Sequence, residues 1–554
     1  MTAPAGRRAA AGTPLFAALT RPECYPHPVA EVRVIETHIS WVMLTGQYAY
    51  KIKKPVNLGF ADFSTLGLRR HYCEEELRLN RRLAPGLYLD VVAIRGSAQA
   101  PRIGGEGRLI DYAVKMREFP QEALASRALG RGAFGAAEID ALAATIAEFH
   151  APSTTAAAGD RFGAPETVLA SALQNFEQML PLAKSAGDDR ALRTLQQWTE
   201  REFAARQQAF ASRKSGGFVR ECHGDLHLGN IALLERRPVP FDCIEFNDEL
   251  RWIDVMSEAA FLAMDLEDRG RGDLAWRFLN RYLEITGDYA GIEVLRFYLA
   301  YRALVRAKIH LMRSRQARLR RPEKLRLTQA FHGYLRLAGR YSAPRKAALI
   351  IAHGLSGSGK TRATQPLIEE LGAVRLRSDL ERKRLHGIEP LATTSSAPGG
   401  GIYSAEATSG VYRRLGLLAQ SALGCGFPVV VDAAFLRRAE REAFRSIAEK
   451  AGVPFRILDF HVPLDVLRTR VEERRVRGDD ASEAGLAVLE RQIATREPLT
   501  PAEMAAAVTV DGTLPPAAGT WRLAKGGIVH YIHGTLPPAA GTWRQAVQRI
   551  LITY

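Results

Sequence analysis

HGDLHLGN, residues 223–230, gathers an aspartate, two histidines and an asparagine into eight positions, and Asp242 follows at the end of the strand-like VPFD. Phosphoryl transfer from ATP needs a carboxylate to orient the attacking hydroxyl and take its proton. It also needs oxygen ligands that hold Mg²⁺ against the phosphates. In H-x-D-x-x-x-x-N, one loop offers an Asp and, five residues on, an Asn for these two tasks. The spacing assigns Asp225 as base and Asn230 as metal ligand, with Asp242, after a short hairpin, as the main metal carboxylate. A loop whose Asp and Asn only cap turns accounts for one such residue but not for all three.

A cation for the donor phosphates is found upstream. In YAYKIKK, residues 48–54, strand alternation places Lys51 and Lys53 on one face, and either has the reach. The following helical stretch HYCEEELRLNRRL offers Glu74, Glu75 and Glu76 as partners. The assignment is Lys51 with Glu76, because Glu76, Asn80 and Leu83 share one helical face. Before YAYKIKK, across the turn signal Thr45-Gly46-Gln47, VRVIETHISWVML reads as strand; LYLDVVAI and LIDYAVKM read as further short strands. From about 121 to 340 helical periodicity dominates, broken by the strand-like pieces flanking HGDLHLGN.

On these motifs, residues 25–335 resemble the aminoglycoside phosphotransferase family, which implies a kinase-like fold of small β lobe and larger helical lobe. HGDLHLGN is similar to that family's catalytic loop, and Asp242 to its second metal ligand. There is no G-x-G-x-x-G loop; in its place ETHISWVML is expected to cover the phosphates through backbone N–H groups near His38 and Ser40. His227 faces either substrate or its own loop backbone, and His150 reads as structural. In FYLAYRALVRAKIHLMR, Arg302, Arg306 and His310 recur at i, i+4 and i+8, as a solvated basic stripe or as an anion-binding wall. An aminoglycoside is polycationic, so a basic wall weighs against an antibiotic acceptor.

GRYSAPRK, around 340–346, reads as a linker, and AALIIAHG then opens an alternation of apolar strands and amphipathic helices typical of a parallel α/β sheet. GLSGSGKT, residues 354–361, fits G-x-x-x-x-G-K-[ST] between that strand and a helix. Gly354, Gly357 and Gly359 let backbone N–H groups converge on the phosphates, Lys360 bridges the β and γ oxygens, and the Thr361 hydroxyl ligates Mg²⁺. In VRLRSDLERKRL, Asp379 ends a strand and Arg382 lies one helical turn on, so both can face an acceptor hydroxyl. A base beside the phosphate loop argues for transfer over hydrolysis coupled to motion. FPVVVDAAF ends an apolar strand in Asp432, suited to the Mg²⁺ shell. LRTRVEERRVRGDDASEA crowds Arg470, Arg474, Arg475 and Arg477 before an acidic loop, as a mobile lid would, and Arg474 is the residue assigned to the transferring phosphate.

Residues 346–510 resemble small P-loop kinases of metabolites and of polynucleotide 5′ ends, and Asp379-x-x-Arg382 is similar to the acceptor-binding pair of the polynucleotide branch. The whole chain resembles a bacterial fusion of an aminoglycoside phosphotransferase-like domain with a P-loop kinase domain. That resemblance implies two folds and two ATP sites and names no substrate.

With 554 residues the chain is too long for one core. Its 47% hydrophobic and 25% charged residues are those of an ordinary globular protein, without an apolar run long enough for a membrane span. Five scattered cysteines without a C-x-x-C pair argue against disulfides or zinc and fit a reducing cytoplasm. The net charge of +16 is spread along the whole chain and reads first as a generally arginine-rich composition; nucleic acid or an anionic small substrate are the other readings, and charge alone does not choose among them. Gly12 and Pro14 interrupt the Ala-rich start, which reads as a leader running into a first helix. GTLPPAAGTWR occurs identically at 512–522 and 534–544, a local duplication of which one copy packs through Trp521 or Trp543.

The expectation is therefore α+β followed by α/β. A bilobal kinase-like domain spans 1–340, with its small lobe to about 118 and its helical lobe over 119–340. A P-loop domain with a parallel sheet spans 345–554 and carries the duplication in 512–544. The expected activity is that of a cytoplasmic, bifunctional, ATP- and Mg²⁺-dependent kinase acting on small-molecule hydroxyl acceptors. The alternative is a polynucleotide 5′-hydroxyl kinase or nucleic-acid-binding ATPase in the second half, beside a regulatory ATP-binding first half.

Overall fold

The computed structural model describes residues 14–513, except 60, 317–318, 345, 390–391, 393–399, 478–481 and 483, together with the backbone of 521–525 and 528–532. The chain packs as two compact units, one formed by Met1–Ala164 with Lys214–Leu262 and the other by Pro165–Arg213 with Ala263–Tyr554.

In the first unit six antiparallel strands form one sheet: β1 (Arg33–Glu36), β2 (Ser40–Leu44), β3 (Tyr48–Lys53), β4 (Tyr88–Gly96), β5 (Pro101–Ile103) and β6 (Leu109–Arg117), in the order β1-β2-β3-β6-β4-β5. VRVIETHISWVML, read as a single strand-like run, is folded back on itself as β1 and β2. Thr37 Oγ1 accepts the N–H groups of Ile39 and Ser40, and this local turn reverses the chain. Strand alternation sorts β3 cleanly. Tyr50 and Ile52 enter the core containing Trp41, Met43 and Ile94, while Ala49 joins Cys73, Tyr88 and Val114 on the opposite face. Lys51 and Lys53 therefore share the face of Ala49, toward the helix Leu66–Arg81 that carries Cys73 and Glu76. That helix starts at Thr65, whose hydroxyl accepts the Leu68 N–H at 3.2 Å.

Below the sheet in sequence, β7 (Val219–Glu221) leads into HGDLHLGN, then comes the hairpin of β8 (Ile231–Leu234) and β9 (Arg237–Pro240), and β10 (Trp252–Asp254) pairs back onto β7. Glu235 and Arg236 have φ of 49° and 63°, the left-handed two-residue turn that matches strand twist.

The second unit combines helices with a seven-stranded sheet. The helices Ile292–Ser314 and Arg321–Ser342 pack along each other. Against the expectation of a solvated stripe, Arg302 is 4% and His310 9% exposed, because this face packs on the next helix; the His310 ring stacks on Tyr334 with centroids 5.5 Å apart. The strands β11 (Leu349–His353), β12 (Val374–Arg377), β13 (Val429–Asp432), β14 (Phe455–His461) and β15 (Ala507–Asp511) are parallel, in the order β12-β13-β11-β14-β15. Antiparallel β16 (Trp521–Lys525) and β17 (Ile528–Ile532) extend the sheet beyond β15. The central strands are apolar over most of their length and turn polar toward their C-terminal ends, with Ile350, Val430 and Leu458 fully buried under the helix Lys360–Leu371, as a sheet covered on both faces requires. The backbone of Trp521 opens β16; its side chain, the second repeat copy with Trp543, and the leader to residue 13 lie outside the described residues. No helix among the described residues is long and apolar enough to cross a membrane. All five cysteines are free and buried.

Candidate active sites

In the first unit, Asn230 and Asp242 flank the same end of the β8–β9 hairpin: the Phe241 N–H donates to the Asn230 carbonyl at 2.9 Å, one residue before Asp242. Asn230 donates Nδ2 to Asp225 Oδ2 at 2.9 Å and to the Asp225 carbonyl at 3.1 Å. Its amide oxygen makes no hydrogen bond among the described residues. Asp242 sits in the left-handed region at φ 68° and donates its N–H to Tyr88 Oη at 3.2 Å. The Asp242 side chain is 40% exposed, with Oδ1 on Lys51 at 2.5 Å. A spare amide oxygen and a carboxylate at one hairpin end are hard oxygen donors that fit a divalent cation.

Lys51 also meets Glu76 Oε1 at 2.7 Å, and Lys53 contacts both Glu76 and Glu245. Burial favours neutral Lys51, but the Asp242 and Glu76 carboxylates outweigh it and hold the ammonium charged well beyond its usual range. Burial likewise opposes ionised Glu76, and Lys51 and Lys53 overcome it. Burial pushes Glu245 up, with Lys53 only partly offsetting it.

The HGDLHLGN loop is held from below by a residue that the motif does not contain. Glu258 accepts the Gly224 N–H at 2.6 Å, the His223 N–H at 3.1 Å and His150 Nε2 at 2.8 Å. Burial works against its charge, yet His150, His223 and the Gly224 N–H lower it to about 2. His150 is thus buried beneath the loop, and His227 turns to the loop backbone, its Nδ1 accepting the Gly229 N–H at 3.0 Å. The Ser40 N–H, expected to cover phosphates, is already bonded to Thr37 Oγ1 at 2.9 Å, so that turn does not offer it.

In the second unit the phosphate loop follows β11. Gly357 and Gly359, at φ 83° and 82°, take the left-handed conformations that turn successive N–H groups inward. A Cβ on Gly354 would lie 2.9 Å from Phe460 Cβ and from Ser358 Oγ. Lys360 Nζ donates to the carbonyls of Gly354 at 3.0 Å and Leu355 at 2.9 Å. Thr361 Oγ1 donates to Asp432 Oδ2 at 2.6 Å, a hydroxyl and a carboxylate that again suit a hard cation.

Lys360, Thr361, Asp379, Arg382, Asp432 and Arg474 all line one cavity of about 1080 Å³. Arg382 is 7% exposed, its Nη1 bonded to the Ile402 carbonyl at 2.7 Å and the Thr408 hydroxyl at 3.2 Å. Arg474 donates to the Ala484 carbonyl at 2.8 Å, whereas Arg470, one helical turn earlier, reaches Gly512 O at 2.7 Å and Gly357 O of the phosphate loop at 3.4 Å. Gln492 accepts the Ser356 N–H at 2.9 Å. Sequence reasoning missed Glu245, Glu258 and Gln492, whose partners lie far away in the chain.

These two sites have the make-up of ATP-dependent phosphotransferases, and two family models agree: the phosphotransferase enzyme family matches residues 70–298 and an AAA domain matches 349–499. The chain is a fusion of an aminoglycoside phosphotransferase-like domain with a P-loop kinase domain, both of kinase families that use ATP with a divalent metal. The uncharacterized protein Rv2004c of Mycobacterium tuberculosis is 30% identical over 475 residues, covering 85% of this chain and 92% of that protein; Mb2027c of Mycobacterium bovis matches equally. The chain belongs to the family that these mycobacterial proteins represent. Among solved structures, the amicoumacin kinase hAmiN in complex with AMP-PNP, Ca²⁺ and Ami is similar over 58% of this chain and 91% of that one, at 14% identity and TM-score 0.36. An unliganded sugar kinase from Janibacter sp. HTCC2649 is similar over 31% and 88%, at 21% identity and TM-score 0.23.

Proposed function

We propose that the chain is a bifunctional kinase that transfers the γ-phosphate of ATP to hydroxyl groups of small-molecule acceptors, with one active site in residues 1–340 and another in 345–554. The observation that supports this reading is that each site gathers a lysine, hard oxygen donors and a further carboxylate: Lys51, Asn230, Asp242 and Asp225 in the first, and Lys360, Thr361, Asp432 and Asp379 in the second. Magnesium, when bound, neutralises charge on the β- and γ-phosphates.

At the first site Asp225, steadied by Asn230, takes the acceptor's hydroxyl proton as that oxygen bonds to the γ-phosphorus and the bond to the ADP oxygen breaks. Lys51 holds the α- and β-phosphates, with Glu76 orienting it, and Asn230 and Asp242 hold the metal. At the second site Lys360 exchanges its loop carbonyls for the β and γ oxygens. Thr361 and Asp432 hold the metal, Asp379 takes the hydroxyl proton, Arg382 supports the acceptor and Arg474 screens the moving phosphoryl group. Gly354, Gly357 and Gly359 keep the loop open to the phosphates. The five buried free cysteines support a reducing cytoplasm as the setting.

One observation favours a second reading. Arg413, Arg437 and Arg491 line the same cavity as Asp379, which suits an anionic acceptor such as a polynucleotide 5′ end. Incubating the chain with labelled ATP and a small-metabolite extract, followed by mass spectrometry, tests the proposal. Two sets of phosphorylated species are expected, one lost in Asp225→Ala and the other in Lys360→Ala. Loss of every product in a single variant, or products only with oligonucleotides, would overturn it.

A further inference from the structure

Within the second unit, the helix Gly272–Thr286 packs on β12, the edge strand of the seven-stranded sheet. Asn280 acts there as a substitute for a neighbouring strand: its Nδ2 donates to the Ala373 carbonyl at 2.9 Å and its Oδ1 accepts the Arg375 N–H at 2.7 Å. One turn on, Glu284 is 2% exposed and accepts Arg375 Nε and Nη2, both at 2.7 Å. Glu284 Oε2 also lies 3.7 Å from Arg377 Nη1.

Arg377 connects this pair to the phosphate loop. Arg377 and Asp432 are register partners on β12 and β13, and Arg377 Nε lies 3.8 Å from Asp432 Oδ2. That oxygen is the one accepting the Thr361 hydroxyl. Arg375 meanwhile spans to Gln365 Oε1 at 2.7 Å and the Thr361 carbonyl at 3.4 Å. Burial works against ionised Glu284, but Arg375 and Arg377 overcome it and keep the carboxylate charged.

We propose that Glu284 is a positioning residue for the P-loop site. Its carboxylate restrains the Arg377 guanidinium, which without it would close on Asp432 and compete with the metal for that carboxylate. The inference rests on the reading of Thr361 and Asp432 as metal ligands. It goes beyond either family model, because Glu284 lies in the stretch matched by the phosphotransferase family while Thr361 and Asp432 lie in the stretch matched by the AAA domain. The second nucleotide site is thus completed by a helix belonging to the first family's segment.

Calorimetric titration of ADP into the full-length chain, at a series of Mg²⁺ concentrations and in chelator, tests this in a Lys51→Ala background that silences the other nucleotide site. Glu284→Gln is expected to raise the half-saturating Mg²⁺ concentration about tenfold while leaving metal-free ADP affinity unchanged. Adding Arg377→Met to Glu284→Gln is expected to restore it, because the competing cation is gone. An unchanged Mg²⁺ requirement in a folded Glu284→Gln chain, equal weakening with and without metal, or failure of Arg377→Met to restore it would overturn the proposal. Should Glu284→Gln not fold, Glu284→Asp decides, because its carboxylate is one methylene shorter and loosens the hold on Arg377: a raised Mg²⁺ requirement that Arg377→Met reverses supports the restraint, and an unchanged requirement contradicts it. Asp432→Asn separates the two levels, since a Mg²⁺ requirement indifferent to that change would defeat the metal-ligand reading itself.

Discussion

Lys51 Nζ lies 2.5 Å from Asp242 Oδ1 and 2.7 Å from Glu76 Oε1, so the cation proposed for the donor phosphates directly touches the carboxylate proposed for the metal. Lys53, on the same strand face, is fully buried against Glu76 and Glu245. The two lysines are expected to fail in different ways. Lys53→Ala leaves two buried carboxylates short of a cation and should cost about 3–5 kcal/mol of stability. Lys51→Ala leaves Lys53 on Glu76 and frees a partly exposed Asp242, so about 1–2 kcal/mol is lost, but nucleotide binding at this site disappears. Denaturant titration beside calorimetric nucleotide titration checks both; equal destabilisation by the two changes would contradict the assignment.

Asp225→Asn keeps an oxygen for the Asn230 amide while removing the proton acceptor. Turnover at the first site should fall roughly 10²- to 10⁴-fold with little change in melting temperature. Retained turnover would remove Asp225 from the role of base.

Asn280 pairs by its side chain with the Ala373 carbonyl and the Arg375 N–H at the sheet edge. Asn280→Ala strands a buried N–H and carbonyl, and a loss of about 1–3 kcal/mol is expected on chemical unfolding. A neutral result would mean that the helix does not close that edge.

Burial first, and then Arg306 and Arg313, lower His310 from 6.5 to about 4. An unfolded chain takes up this proton near pH 6.5 and the folded chain only near 4, so across that window the unfolded state binds more protons. Stability should therefore fall on acidification from pH 6.5 to 4, by up to about 3 kcal/mol from this residue. His310→Phe, which preserves stacking on Tyr334, should flatten that part of the profile; melting curves at several pH values provide the check.

What the sequence revealed follows the range of each interaction. Asp225, Asn230 and Asp242 are brought together by one loop and a tight hairpin, and the phosphate loop is built from consecutive residues, so spacing alone was enough to put them side by side as candidates. Lys51 and Lys53 could be put on one face by alternation, and Glu76 on the facing helix by its period. Glu245 meets Lys53 across 192 residues and Glu284 meets Arg375 across 91, and no local pattern records such pairs. The basic stripe misled because periodicity finds a face but not what covers it: Tyr334 does, from a separate helix. The reversal at Thr37 was hidden in a run whose composition is strand-like throughout, where one hydroxyl makes the turn.

The central claim is that one chain carries two nucleotide sites. Equilibrium dialysis of the full-length protein with a labelled non-hydrolysable ATP analogue and Mg²⁺ measures it directly. Two nucleotides per chain are expected, falling to one in Lys51→Ala, one in Lys360→Ala and none in the double variant. A wild-type stoichiometry of one, or complete loss in either single variant, would contradict the account.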